Sequence, residues 1–271
     1  MDLDRSKWHL IDQNLDRIVD VGFNSITLIV DYYVNDYKDP NIRPIYPGEP
    51  FPDTNWFRPT LTNEEIMDIA LKAKKRGLST ILKMHIDTLD WPTGGKGRYA
   101  LNPKGGNWDL LFKNYQKFAE KTAQTASTIN AQVLIIGTET DTLVEQKHAN
   151  RWKPIVAAVR SRYKGPISYA SSFNAKAGFF APSNGEYPKM CGACRVTIWN
   201  LVDYIGFEPY AGLTKNKDAS LEELKVGVRR IIDKVIRPIS KKYKKSVLIP
   251  EIAFESFDGV ATNPISIGSN Q

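Results

Sequence analysis

The hydrophobic and polar positions along the chain follow two periods. Six short runs are rich in aliphatic and β-branched residues, which is typical of strands, and they lie at residues 25–33, 79–87, 132–139, 166–172, 201–210 and 246–254. Before and between them, apolar residues recur at helical spacing, in residues 6–22, 60–77, 107–128, 151–163 and 220–243. Because helices and strands alternate, the pattern predicts an α/β fold with parallel strands and right-handed crossovers.

Such strands can close into a barrel or form an open doubly wound sheet. Long loops follow the strands, and the sequence contains no Gly-x-Gly-x-x-Gly or Walker loop, which favours the barrel. A complete barrel of this type has eight strands. The sequence therefore predicts a TIM-type (β/α)8 barrel that lacks the first strand and the eighth strand–helix unit. We expect residues 1–271 to form a single barrel domain that is incomplete at both ends.

Composition and charge narrow the class of partner. The chain has 271 residues, of which 42% are hydrophobic and 25% charged, enough for one large domain with a substantial core. The formal charge of +7 would suit a polyanion, but the lysines are spread along helical segments, as on a solvated face. Since no nucleic-acid-binding motif accompanies them, we expect no nucleic-acid partner. No apolar stretch has the length of a membrane span and the amino terminus does not resemble a signal peptide, so we expect no membrane partner and leave the compartment open.

The cysteines and histidines give no sign of a metal or cofactor. Cys191 and Cys194 form the only cysteine pair, in "CGAC", which is too small a set for a structural zinc site. A loop disulfide or two ordinary thiols are favoured over redox chemistry. His9 and His148 lie in helical segments without neighbouring ligand residues. We therefore expect neither a metal site nor a cofactor.

Two glutamates follow aliphatic strands. Glu139 comes at the end of "LIIGTE" and Glu251 in "LIPEIAF", and parallel strands deliver such residues to one edge of the sheet. An unpaired carboxylate at such a place is costly in free energy. Glycoside hydrolysis supplies a reason for it, because the reaction needs one protonated and one ionised carboxyl group. The two glutamates are thus candidate catalytic residues.

The same strand ends and loops carry aromatic and polar side chains that suit a sugar, which has apolar ring faces and hydroxyl edges. The candidate substrate-binding residues from this reasoning are Tyr33, His85, Asp87, Trp91, Trp199 and Tyr210. Alternatives stay open for two of them. His85 could be an ordinary hydrogen-bonded strand residue, and Trp199 could belong to the core.

Several segments together resemble one family. The order of "FNSITLIVDYY", "LKMHID", "VLIIGTET" followed by "RWKPIVAAVR", "DYIGFEPYAGL" and "PEIAF" is similar to that of glycoside hydrolase family 113, whose members are (β/α)8 enzymes typified by retaining β-1,4-mannanases. The resemblance covers nearly the whole chain. It matches the six predicted strands to the second through seventh strands of the barrel.

The resemblance implies roles for individual residues. Glu139 matches the general acid/base and Glu251 the nucleophile, and Tyr210 matches a tyrosine that can hydrogen-bond the nucleophile. His85 and Asp87 would line the sugar site. The segment "YASSFNAK" departs from the family pattern, leaving Ser172 or Asn174 as the polar contact with the sugar, of which we select Asn174.

The leading hypothesis is a retaining glycoside hydrolase acting on β-linked oligo- or polysaccharide, in particular an endo-β-1,4-mannanase. The alternative is a catalytically silent or truncated carbohydrate-binding barrel, and a polyanion-binding protein is the third hypothesis. The two missing strands are neighbours in a closed barrel, so their absence would leave unpaired strand edges. The chain is accordingly expected to be a fragment, the product of a shortened gene, or a protein that completes its barrel by dimerising; the oligomeric state is thus a monomer or a barrel-completing dimer.

Overall fold

The computed structural model describes residues 5–52, 57–172, 192–254, 258–262 and 264. The strands are β1 (Ser25–Val34), β2 (Ser79–Thr88), β3 (Val133–Thr138), β4 (Ile167–Ser172), β5 (Tyr204–Glu208) and β6 (Val247–Leu248). The α-helices in the described part of the chain are α1 (Ile11–Asp20), α2 (Asn63–Lys75), α3 (Trp108–Thr128), α4 (Ala149–Arg162), α5 (Leu221–Ile231) and α6 (Arg237–Tyr243). A 3-10 helix, Arg5–Leu10, precedes α1.

The six strands form one sheet in which the strand order follows the chain order, β1 to β6. The pairs β1–β2, β2–β3 and β5–β6 are parallel. In a doubly wound sheet the strand order reverses at a switch point, whereas here it runs in one direction. The topology therefore confirms the α/β prediction and favours the barrel arrangement. None of the described helices has both the length and the apolar character needed to cross a membrane.

The chain divides into two compact units, Met1–Thr142 with Asn150–Ser168, and Leu143–Ala149 with Tyr169–Gln271. In the first unit, β1 and β2 pair in parallel along their whole length, from Ser25 opposite Ser79 to Val34 opposite Thr88. All residues of β3 are buried. The Tyr115 hydroxyl of α3 donates a 2.7 Å hydrogen bond to the carbonyl of Ile136. Burial raises the pKa of Tyr115, so this hydroxyl stays a neutral donor that fixes β3 against α3.

In the second unit the regular elements are shorter than the sequence pattern predicts. The predicted helix 220–243 is interrupted by a π-helical turn, Ile232–Ile236, followed by Pro238, which has no N–H to donate within the helix. The predicted strand 246–254 is regular only at β6, residues Val247–Leu248. Pro250 explains the early end, since proline cannot donate to a strand ladder. Glu251 therefore lies just beyond the strand instead of inside it.

The amino terminus of α2 is held by a partly buried charge pair that we expect to contribute to stability. Glu65 closes a capping box with Thr62 and accepts from Arg5 Nε at 2.6 Å and Arg5 Nη2 at 2.7 Å. Burial alone would raise the pKa of Glu65, but the hydrogen bonds from Arg5 and from the Thr62 backbone outweigh it, and the net pKa lies below the ordinary value of 4.5.

Glu65→Gln should lower the free energy of unfolding by about 1 kcal/mol at neutral pH, a figure that allows for screening by water. Because the folded-state pKa is depressed, the stabilisation is present above pH 4.5 and is lost as the pH falls through the folded pKa. Urea unfolding of both proteins at neutral pH and near pH 3 checks this. The control Asp16→Asn removes an exposed ion pair with Arg76 and should lower the free energy of unfolding by a smaller amount. If Glu65→Gln lowered the free energy of unfolding equally at both pH values, the ion-pair explanation would be contradicted.

Candidate active site

Glu139 follows β3 directly and is 7% exposed. Its backbone has φ +50°, a left-handed conformation that non-glycine residues rarely adopt. Such conformations cost free energy and cluster at functional sites. The strand carries the residue to this edge of the sheet, and the turn in the backbone then sets where its side chain emerges.

The register of β1 and β2 brings four polar side chains together. Asp31 lies opposite His85, and Tyr33 lies opposite Asp87. Since successive residues of a strand point to opposite faces, these four share one face of the sheet. Tyr32 lies on the other face, where its ring stacks on Phe118 of α3 with the ring centroids 3.7 Å apart.

Arg98 completes this group from the loop that follows β2. Its Nη1 donates to Asp87 Oδ1 and lies 3.3 Å from His85 Nδ1, while its Nη2 lies 3.4 Å from Glu139 Oε2. His85 Nδ1 is in turn 3.8 Å from Asp31 Oδ1. The guanidinium thus connects the ends of β2 and β3. We call Asp31, His85, Asp87, Arg98 and Glu139 the Arg98 cluster.

Sequence reasoning identified His85, Asp87 and Glu139 but missed Asp31 and Arg98. Asp31 could have been found, because it is the charged residue that interrupts the aliphatic run of β1. Arg98 lies in a glycine-rich loop, "TGGKGRYA", whose path depends on hydrogen bonds to other segments. No local pattern indicates where its side chain lies.

Asp31, His85 and Asp87 each offer a ligand atom, and these atoms lie within 4.8 Å of one another. Carboxylate and imidazole donors can bind divalent cations. The Arg98 guanidinium, however, already donates to Asp87 and lies against His85. A positive side chain therefore occupies the neighbourhood that a metal ion would need, and the donor set suits the arginine better than a metal ion.

The predicted aromatic residues of this unit, Tyr33 and Trp91, belong to one small apolar group. Tyr33 is 1% exposed and packs with Ile45 and Phe57, and its hydroxyl donates to the carbonyl of Arg58. Trp91 is half-buried and packs against the same apolar group. A ring as buried as that of Tyr33 does not offer its face to a sugar, whereas Trp91 keeps exposed surface.

In the second unit, Tyr210 and Glu251 form a pair. The Tyr210 hydroxyl donates a 2.9 Å hydrogen bond to Glu251 Oε2, and both residues are half-buried. Tyr210 follows β5 and its backbone N–H donates to the carbonyl of Glu208 at 2.9 Å. Glu251 follows β6. A hydroxyl donor favours the ionised form of a carboxylate, which is the form that a nucleophile needs.

The remaining residues that the sequence singles out have other placements. Trp199 is fully buried, its Nε1 donates to the carbonyl of Ala193 at 2.7 Å, and its ring meets Tyr169 edge-on. The structure therefore places it in the core of the second unit, which is the alternative that the sequence leaves open. Asn174 and Cys191 lie outside the described residues. Cys194 is disulfide-bonded, in keeping with the loop-disulfide alternative.

The model of Glycoside Hydrolase Family 113 matches residues 12–270. The chain belongs to glycoside hydrolase family 113. Membership confirms the resemblance seen in the sequence and establishes this family 113 protein as a glycoside hydrolase. No curated protein matches the chain.

The fold of the family 113 protein is similar to that of several solved structures. The GH113 β-mannanase from Alicyclobacillus acidocaldarius, in complex with ManMIm, has a TM-score of 0.68 at 20% identity, over 93% of this chain and 68% of that chain. A GH113 β-1,4-mannanase complex has a TM-score of 0.70 at 18% identity, over 94% and 70% of the two chains. The β-glycosidase from Thermosphaera aggregans has a TM-score of 0.51 at 10% identity, over 90% and 68%. These likenesses confirm the fold class, a partial (β/α)8 barrel.

Proposed function

We propose that this family 113 glycoside hydrolase is an endo-β-1,4-mannanase that works by double displacement, with Glu251 as nucleophile and Glu139 as general acid/base. The observation that carries the proposal is the pair of strand-end glutamates, each held by a different partner. Glu251 accepts from the Tyr210 hydroxyl and Glu139 lies beside the Arg98 guanidinium. The substrate class is supported by two similar structures, both of which are GH113 β-mannanases.

In the first step, a carboxylate oxygen of Glu251 attacks the anomeric carbon of the sugar. The bond from that carbon to the glycosidic oxygen breaks as Glu139 gives its proton to the departing oxygen. The product is an ester between Glu251 and the sugar, together with the released end of the polysaccharide. Attack from the face opposite to the leaving oxygen inverts the anomeric centre once.

In the second step, a water molecule takes the place of the released sugar. Glu139, now ionised, removes a proton from this water as its oxygen attacks the anomeric carbon. The ester bond breaks and Glu251 leaves as a carboxylate, while Glu139 regains its proton. The second inversion restores the original anomeric configuration, so the enzyme is a retaining one. No step requires a cofactor.

The first test is the release of reducing ends from a panel of polymers: β-1,4-mannan, glucomannan, cellulose, xylan and β-1,3-glucan. We expect the chain to release reducing ends from mannan and glucomannan, with a rapid fall in viscosity, because internal cleavage shortens chains faster than end-trimming. Hydrolysis of only another polymer would overturn the substrate assignment. Saccharide binding without hydrolysis, by a chain whose circular dichroism shows it to be folded, would support the carbohydrate-binding alternative instead.

Tyr210→Phe tests the hydrogen bond between the Tyr210 hydroxyl and the proposed nucleophile, Glu251. Removing a hydrogen bond to a charged group costs about 1.5 to 3 kcal/mol, so kcat/KM on mannan should fall roughly 10- to 100-fold. The fold should be unaffected because the ring is retained. Steady-state kinetics on mannopentaose measures the change. Tyr243→Phe, at the end of α6, is the control and should leave kcat/KM unchanged, and an unaltered Tyr210→Phe enzyme would contradict the role given to this hydroxyl.

A further inference from the structure

Resting on the proposed acid/base role of Glu139, we propose that Asp87 and Arg98 act as a pair of positioning residues for its proton. Arg98 orients the Glu139 carboxyl group. Asp87 neutralises Arg98, so that the guanidinium does this without holding Glu139 in its ionised form. The proposal assigns a function to Asp87 other than contact with the sugar.

The contacts of the guanidinium are unequal. Arg98 Nη1 donates directly to Asp87 Oδ1, whereas Nη2 lies 3.4 Å from Glu139 Oε2, at the long end of hydrogen-bond distances. Both carboxylates and the arginine are largely buried, with side-chain exposures of 15%, 10% and 16% for Asp87, Glu139 and Arg98. Partial burial strengthens such interactions, because water screens them less. Of these two carboxylates, Asp87 is therefore the stronger partner of the positive charge.

Arg98 is held in place by its loop. The Thr88 hydroxyl donates to the carbonyl of Lys96 at 2.8 Å, and the Thr142 hydroxyl donates to the carbonyl of Leu101 at 2.7 Å. These bonds lie on either side of Arg98 and tie its loop to the end of β2 and to the segment that follows Glu139. The guanidinium is thus positioned before any substrate binds, as preorganised catalysis requires.

The reaction makes opposite demands on Glu139. It must be protonated to assist the departure of the sugar and ionised to activate water. An unpaired guanidinium beside it would favour only the ionised form. With Asp87 taking up that charge, and with His85 and Asp31 also nearby, Arg98 can donate to one oxygen of Glu139 in either state. The other oxygen then carries the proton to the leaving group.

The test separates proton donation from the rest of the reaction by changing the leaving group. Dinitrophenyl β-mannobioside has a leaving group that departs without a proton, and phenyl β-mannobioside has one that needs it. In Asp87→Asn, Arg98 is no longer neutralised and holds Glu139 ionised. We expect kcat/KM to fall by roughly 100-fold or more on the phenyl substrate, within the usual contribution of general acid catalysis, and by less than about 10-fold on the dinitrophenyl substrate.

The double variant Asp87→Asn/Arg98→Met is the decisive comparison. Removing the uncompensated guanidinium should recover at least about 10-fold of the lost kcat/KM on the phenyl substrate, a coupling expected of residues that act together. If the pair had only a structural role, the second substitution would lower kcat/KM further. The proposal is overturned if kcat/KM of the double variant on the phenyl substrate is no higher than that of Asp87→Asn. It is also overturned if Asp87→Asn lowers kcat/KM equally on both substrates.

Controls keep the outcomes distinct. Asp16→Asn and Arg76→Met break an exposed Arg–Asp pair of the same unit and should leave the ratio of the two kcat/KM values unchanged. If Asp87→Asn does not fold, Arg98→Met replaces it, because this variant removes the donor that orients Glu139. A larger fall in kcat/KM on the phenyl substrate than on the dinitrophenyl substrate would support the proposal, and equal falls on both would overturn it. A folded wild-type chain that hydrolyses neither substrate would reject the proposed function itself.

Discussion

Glu251→Gln is expected to abolish hydrolysis of β-mannan, lowering kcat by about four orders of magnitude or more while the fold is retained. The amide has the size of the carboxylate but lacks a charged oxygen to attack the anomeric carbon. Reducing-end release from mannan by matched amounts of wild type and variant measures the effect. Because Glu251 is half-buried beside Tyr210, the amide can still accept the tyrosine hydrogen bond, so thermal unfolding should be nearly unchanged.

Glu208 provides a matched comparison for Glu251. It ends β5 and is fully buried, so it is another strand-end glutamate of the same unit. Glu208→Gln should retain catalytic activity wherever the variant folds, because we assign the attack to Glu251. Normal turnover by Glu251→Gln, or an equal loss of turnover by folded Glu208→Gln, would contradict the assignment of the nucleophile.

Glu139→Ala is expected to give a loss that depends on the leaving group. On mannopentaose, kcat/KM should fall by roughly 1000-fold, because the departing sugar receives no proton. On dinitrophenyl β-mannobioside the first step should stay fast and the second should become slow, since no base activates water. Rapid-mixing measurements should therefore show a burst of dinitrophenol followed by a slow steady rate.

Reactivation by azide distinguishes the loss of the acid/base carboxylate from a general disturbance of the active site. As a small nucleophile that needs no deprotonation, azide can occupy the space left by the shortened side chain and attack the glycosyl ester. We expect azide to speed the steady rate of Glu139→Ala on the dinitrophenyl substrate and to yield the β-mannobiosyl azide, with no comparable effect on wild type. Absence of both burst and azide product, in a folded variant, would contradict the acid/base role.

The regular part of the fold could be predicted because each element has its own periodicity. The run 25–33 became β1, Ser25–Val34, and the run 79–87 became β2, Ser79–Thr88. Prolines account for the main differences, since Pro250 ends β6 early and Pro238 accompanies the π-helical turn before α6. Both effects come from a missing N–H, which a count of apolar positions does not register.

The site was predictable where a strand supplies the residue and not where a loop does. His85 could be placed from its strand, because a strand fixes which face a side chain occupies. Glu139 could be placed at the end of its strand, but its left-handed backbone, which sets where the side chain emerges, could not be predicted. Arg98 could not be placed, since its position depends on the bonds from Thr88 and Thr142 to its loop. Trp199 could not be placed for a different reason. An aromatic residue near a strand looks the same in the sequence whether it packs in a core or lines a sugar site.

The most direct test of the two-glutamate mechanism is to trap the covalent intermediate. A 2-deoxy-2-fluoromannosyl fluoride forms the glycosyl ester but hydrolyses slowly, because the fluorine destabilises the oxocarbenium-like transition states of both steps. Mass spectrometry of the intact protein and of its peptic peptides then locates the sugar. The mechanism predicts one fluoromannosyl group per chain, bound to Glu251. A label on Glu208 or any other residue, or no label on an enzyme that hydrolyses mannan to the inverted anomer, would contradict it.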